Sequence, residues 1–471
     1  MPPIRNLHLD LSNMICTDLD TDECGLDDSD DVEPWESPYE PHPTKDSVLI
    51  DWHRVSAFKQ ARAVATALEP HVKGFDGVSP KPDVVRKHLR LAVLNLFVAW
   101  RCWKWLAYPA DNTAYSKMNG RYNLLRITKQ FPVIMRGLEA AGYVEIKTGF
   151  RDELTGKGFQ TRAKATPKLI ELFAPINPLM VQTCRYRETV LLADDGVDEH
   201  GKPQGRKWVD YEDTTETVRM RESLFAYNAL IHRSEISFPE VQQLLYEPVD
   251  LQRCFTYRIF NKGSFDVGGR FYGPWWVTLP KHTNPDGSKF NMRQFIRING
   301  NPVVELDYSA QHPTLLYARK GLPPPHDPYD IDGYERGVVK QAVLISLNAK
   351  DRRGAMGALH TWARDEREKT GLENQFQVPR NIMDDIERTH APIAEFLCSG
   401  AWKFLQRQDS NIAERVMNHF TAKGIPVLMV HDSFIVEQRH EAELEEVMSE
   451  AMTQETRSYG VNLKPRIKKG W

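Results

Sequence analysis

Two stretches decide how this chain folds: VVELDYSAQHPTLLYA at residues 303–318 and GIPVLMVHDSFIVE at residues 424–437. In the first, Val303, Val304 and Leu306 lead into Asp307, so a buried strand delivers a carboxylate to its end. Pro313 then suits the opening turn of a helix. In the second, the apolar runs 427–430 and 434–436 flank His431, Asp432 and Ser433. Two strands joined by a tight turn would hold Asp432 at the tip of a hairpin. If that hairpin lies beside the first strand, two carboxylates distant in sequence meet at one edge of a sheet.

Adjacent carboxylates raise one another's pKa unless a cation neutralises them. Magnesium does so with oxygen ligands at about 2.0–2.1 Å and keeps positions open for substrate phosphates. Two such ions about 3.5–4 Å apart activate a hydroxyl and stabilise a leaving pyrophosphate. Either segment alone reads as a strand that happens to end in Asp. Two carboxylates holding such ions is the chemistry of nucleotidyl transfer.

LDYSAQHP resembles motif A of the family A DNA polymerases, and MVHDSF resembles their motif C. The serine after the second aspartate is also similar to the single-subunit phage RNA polymerases. The resemblance covers about residues 265–471 and is closest to the reduced phage or mobile-element branches. It implies an α+β, right-hand polymerase fold: a palm built on an antiparallel sheet, with helical fingers and thumb. Asp307 and Asp432 would be the catalytic metal ligands, with Tyr308 contributing its backbone carbonyl. The cofactor would be two magnesium ions, for which manganese could substitute.

Between the motifs, ERGVVKQAVLISLNAKDRRGA places Arg336 and Lys340 four apart, on one helix face. The resemblance to motif B implies that they grip a nucleoside triphosphate; an exposed basic helix face is the plainer alternative. Leu344 and Asn348 take the next two steps, where family A DNA polymerases typically carry aromatics, so Asn348 would lie along the nucleotide. His312 stands five residues after Asp307, where those enzymes commonly have a glutamate that excludes the ribose 2′-hydroxyl. The sugar filter is therefore expected to differ.

Upstream, GGRFYGPWWVTLPK and IRINGNPVVELDYS are similar to the lead-in to motif A. By that match Arg270 would touch the minor groove of a primer-template, with Arg293 and Arg297 near its backbone; surface arginines before a sheet are the other reading. Gln406, in LQRQDSNIAERVMNHF, matches a template-contacting glutamine. His431 either orients the primer terminus or packs.

The spacing in VRKHLRLAVLNLFVAWRCWKWL is helical, and Trp100, Trp103 and Trp105 are expected to pack in the core or at a domain interface. A helix beginning near Pro132 and stopping at Gly142 is followed by strands over 143–148 and 159–165, joined by a polar stretch with Gly156 and Gly158. Helices leading into a hairpin resemble a winged helix, in which Arg126, Lys129 and Arg136 would be available to nucleic acid. Such modules also bind proteins. A further helix starts at Thr214 or Thr215, with Leu224, Tyr227, Leu230 and Ile231 on one face.

The expected organisation is an acidic, disordered tail (1–46), a helical region with a winged-helix-like module (47–185), a thumb-like helical region and linker (186–264) and a palm-and-fingers domain (265–471). Residues 1–44 hold twelve Asp or Glu and one basic residue, Arg5, a net charge of −11. The rest carries 60 Lys or Arg against 52 Asp or Glu, a net of +8, compatible with a polyanionic partner. No membrane segment or signal peptide is evident, and the six cysteines lack CxxC spacing, so a cytoplasmic protein with reduced thiols is expected, in a bacterial or phage-infected cell.

The leading function is a template-dependent DNA polymerase acting on a DNA primer-template and nucleoside triphosphates, with a replicative helicase or another replisome protein as a partner. The alternatives are a single-subunit RNA polymerase or primase-like polymerase, and a non-enzymatic winged-helix DNA-binding replication or partition factor.

Overall fold

The computed structural model describes residues 46–116, 120–150, 158–195, 207–238, 249–279, 281–283, 289–370, 378, 381–461 and 463–471. The acidic tail apart from Asp46, Gly156 in the hairpin connection, most of the linker before residue 207 and residues 239–248 of the thumb-like region lie outside these. The fold is mixed α+β, largely with antiparallel strand pairs. Its described residues divide into two units, one of 46–263 and Tyr272–Pro302, the other of Ser264–Phe271 and Val303–Trp471.

In the first unit the leading elements are β1 (Ser47–Leu49), α1 (Lys59–Val72), α2 (Pro82–Arg101), β2 (Trp105–Tyr108), α3 (Asn112–Ser116), α4 (Gln130–Ala140), β3 (Val144–Lys147) and β4 (Thr161–Ala165). Pro82 opens α2, where a missing N–H costs nothing, and the helix is buried almost all round from Leu91 to Ala99. The sheet runs β1-β2-β4-β3, with β3 and β4 antiparallel and Val144 opposite Ala165. Pro132 sits in the first turn of α4, and Gly142 past its end takes φ 76°, which a side chain would strain.

His88 on α2 ties this packing together. Its Nδ1 is 2.7 Å from the Val84 carbonyl, and its Nε2 accepts from the Thr128 backbone N–H at 3.0 Å, just before α4. The carbonyl can only accept, so the Nδ1 proton is fixed there. The tryptophans do not all pack as expected. Trp105 is half-buried under Lys147, Arg162 and Lys164, whereas Trp103 has φ 58° and is 74% exposed. The helix breaks at Cys102, so its 3.6-residue spacing no longer aims Trp103 inward.

Farther on come β5 (Val190–Asp194), α5 (Thr215–Arg233) and β6 (Tyr257–Phe260), with β5 and β6 parallel. The Thr214 side chain accepts from the Thr217 N–H while the Thr217 hydroxyl accepts from the Thr214 N–H, a reciprocal cap. Leu224, Tyr227, Leu230 and Ile231 are all buried.

The second unit is built round β7 (Asn301–Tyr308), from Val303 onward, and carries α6 (Gln311–Arg319), α7 (Arg336–Asn348), α8 (Arg352–Thr370), α9 (Ile382–Thr389), α10 (Trp402–Ala422), β8 (Leu428–Val430), β9 (Ser433–Glu437), α11 (Glu441–Thr456) and β10 (Ile467–Lys469). The strands form one antiparallel sheet in the order β8-β9-β7-β10. Phe434, Ile435 and Val436 are fully buried, so β9 is covered on both faces. Helices α10 and α11 pack against each other and both meet α6.

Candidate active site

Alternation along β7 puts Val304, Leu306 and Tyr308 on one face and Val303, Glu305 and Asp307 on the other. The first set enters the core. Tyr308 shows how firmly: its hydroxyl donates to the Met448 carbonyl of α11 at 2.6 Å, and burial pushes the phenol well above its usual range. Its side chain is an anchor, which leaves only its backbone for a site role.

On the other face, Asp307 pairs in register with Ser433, the residue after Asp432. Val430 pairs with Ser433, so His431 and Asp432 are the two-residue turn between β8 and β9. His431 takes φ 54°, a left-handed conformation that histidine tolerates better than branched residues. The Tyr308 N–H donates to the Asp432 carbonyl at 3.4 Å. Asp307 and Asp432 thus spring from adjoining backbone, held by a ladder of five pairs from Val303–Glu437 to Asp307–Ser433.

One ammonium group pairs with Asp307 and a second lies within electrostatic reach of both aspartates. Lys468 on β10 is opposite Asp307, its Nζ 3.0 Å from Oδ2. Lys340, the second basic residue of α7, senses Asp307, Asp432 and Lys468. Burial pushes Asp307 above the usual carboxylate range; Lys468 opposes this, Glu305 adds to it, and Lys340 opposes it again. For Lys340, desolvation and then the Lys468 charge hold the amine below the usual lysine range, with both aspartates pulling upward. Beneath them, Glu305 is buried and accepts from the Ser433 hydroxyl at 2.6 Å. A Cβ on Gly470 would meet the Glu305 side chain at 2.9 Å, so glycine lets the backbone after β10 lie this close.

Arg336 opens α7 and makes a two-point pair with Asp327, Nε to Oδ2 at 2.6 Å and Nη2 to Oδ1 at 3.2 Å. Asn348 ends the same helix, its Nδ2 donating to the Leu344 carbonyl at 2.9 Å. Arg270, expected at a minor groove, is buried: its Nε donates to Asp409 Oδ2 at 2.9 Å, with the two side chains 2% and 3% exposed. Its Nη2 lies 3.4 Å from His312 Nε2. A guanidinium only donates, so His312 presents Nε2 as acceptor. Gln406, expected at a template, is buried on α10.

The first unit holds the others. Arg126, Lys129 and Arg136 are all exposed, on α4 and the turn before it. Arg293 and Arg297 are half-buried, and Arg297 is in a short strand facing Pro302 on one side and Ser237 on the other. Lys468, Glu305 and Asp409 were not singled out in the sequence. Glu305 carried a signal, a charge inside an apolar strand; Lys468 sits in a three-residue strand too short to show alternation.

The donor set suits a hard divalent cation. Among the described residues no group of three or more His, Cys, Asp or Glu side chains is arranged to enclose a metal. A pair of carboxylates is the donor set magnesium commonly takes, the rest of its coordination being completed by water and phosphate oxygens.

No protein-family model matches this sequence, and comparison with curated proteins finds no match. Among solved structures, the chain is similar at 15% identity and a TM-score of 0.27 to the POL domain of Pol1 from M. smegmatis in complex with DNA primer-template and dNTP. The alignment covers 54% of this chain and 51% of that one, about half of each.

Proposed function

We propose that this chain is a template-dependent nucleic acid polymerase of the family A type, extending a primer 3′-hydroxyl on a DNA template from nucleoside triphosphates. The observation that carries the reading is the register that sets Asp307 beside the Asp432 turn. Divalent ions, magnesium first, would lower the barrier by activating the hydroxyl and stabilising the leaving pyrophosphate. Asp307 and Asp432 would hold such ions, from backbone pinned by the β7–β9 ladder. Lys340 offers its ammonium to the phosphates. Arg336, one turn earlier, exchanges Asp327 for the same anion. Little covalent help is asked of the protein, so positioning and charge do the work.

The β7–β10 sheet would be the palm, α7 and α8 the fingers, and α5 part of the thumb. The run α2-β2-α3-α4-β3-β4 supports a winged helix, whose α4 offers Arg126, Lys129 and Arg136 to phosphates. His312, in place of the expected glutamate, favours a relaxed sugar choice and keeps RNA synthesis as the second reading. The test is magnesium-dependent extension of a labelled primer on a DNA template, with dNTPs and rNTPs offered separately. Asp307→Asn and Asp432→Asn are expected to keep the fold and DNA binding and to lose extension by at least about a thousandfold. Extension by either variant at the wild-type rate refutes the site; DNA binding without any incorporation supports a non-enzymatic factor.

A further inference from the structure

The strand β10 borders the site. β10 is only three residues long, yet it is clamped on both sides of Lys468: the Ser309 N–H donates to the Arg466 carbonyl at 2.8 Å, and the Gly470 N–H donates to the Glu305 carbonyl at 2.9 Å. The backbone of Lys468 is therefore held in register with Asp307 while its head is not. The Lys468 side chain is 56% exposed and that of Asp307 23%, so the ammonium is the half of the pair able to leave. Its neighbour Lys469 points to the other face, where its Nζ meets Glu441 Oε1 at 2.7 Å.

An ammonium 3.0 Å from Oδ2 occupies space that a magnesium bound at about 2.1 Å to that oxygen would claim. A four-carbon stem lets the displaced head travel several ångströms, and the nearest incoming anion is the polyphosphate that accompanies the ions. We propose that Lys468 is a built-in counter-cation: it neutralises Asp307 in the ion-free protein, yields that oxygen to the arriving divalent ion, and then holds a phosphate oxygen of the nucleotide. The proposal rests on the reading of Asp307 and Asp432 as a nucleotidyl-transfer site.

The test separates the two. Manganese binding to the full chain, without nucleic acid or nucleotide, is titrated by electron paramagnetic resonance for wild type, Lys468→Ala, Lys468→Gln, Lys469→Ala and Asp307→Asn. Lys468→Ala and Lys468→Gln are expected to tighten the Asp307-dependent site about threefold, the scale of a partly exposed ion pair. Lys469→Ala removes the same charge from the other face and should leave it unchanged. Primer extension then reads the second half: KM for the nucleotide should rise in Lys468→Ala while Lys469→Ala stays at wild type. Unchanged or weaker manganese binding in both Lys468 variants, or no Asp307-dependent binding in wild type, overturns the proposal. So does an unchanged KM. Tighter manganese binding with no extension by wild type would leave the exchange at Asp307 standing and sink the polymerase reading instead.

Discussion

Single residues here are fixed by what their neighbours can accept. His88 is held at a pKa of about 4 by burial, with the Val84 carbonyl pulling the other way. An unfolded histidine titrates near 6.5. The folded value is the lower, so this contribution to stability is complete above pH 6.5 and is lost as the pH falls towards 4. Protonation would also put a second donor at Nε2, against the Thr128 N–H. At about 1.4 kcal/mol per pKa unit, roughly 2–3 kcal/mol should be gone by pH 4.5. Urea unfolding at pH 7 and 4.5 checks this: wild type should lose stability on acidification, and His88→Gln should lose less, by about one proton's worth of slope. His53, pushed to about 3 by burial, adds a parallel loss in both proteins. None of this was legible in the sequence, because a histidine's tautomer depends on a residue forty positions away. The placement of Asp307 at a strand end and of Asp432 in a hairpin turn was legible because its signal is local, an apolar run that stops at a carboxylate.

At the scale of elements, helix ends and the hairpin could be read because single residues punctuate them. Pro132 lies in the first turn of α4 and Gly142 just past its end, and Thr214 opens α5. What could not be read is partnership between elements. Arg270 looks like a nucleic-acid contact when only its motif is visible, but α10 brings Asp409 to it, and the pair is buried. Removing one partner of such a pair typically costs about 3–5 kcal/mol, because the other is left charged and dry, whereas replacing both with apolar residues is often near neutral. Asp409→Leu should therefore destabilise by roughly that amount, and Arg270→Met with Asp409→Leu should recover most of it, both by urea unfolding. A loss below about 1 kcal/mol in the single variant would mean that the pair is solvated in solution. Because the same guanidinium reaches His312, the proposed polymerase activity should show a changed ratio of dNTP to rNTP incorporation in the double variant.

Across the whole molecule the formal charge of −3 hides a division, −11 in residues 1–44 and +8 in the remainder. A basic body approaching a polyphosphate gains from its own field, while a tethered acidic segment raises the local concentration of competing negative charge. Nucleic-acid affinity should thus be lower in the full chain than in one beginning at residue 45. Both interactions are ionic, so the difference should be largest at low salt and should vanish near 1 M, where the screening length is about 3 Å. Fluorescence anisotropy of a labelled primer-template, titrated with both proteins from 50 mM to 1 M salt, measures it. The shortened chain is expected to bind several-fold more tightly at the low end, with affinity falling along a line in log salt whose slope counts the phosphates neutralised. Equal affinities at 50 mM would show that the acidic residues do not compete for the basic surface. Binding by the shortened chain that does not weaken with salt would remove the electrostatic case for a nucleic-acid partner.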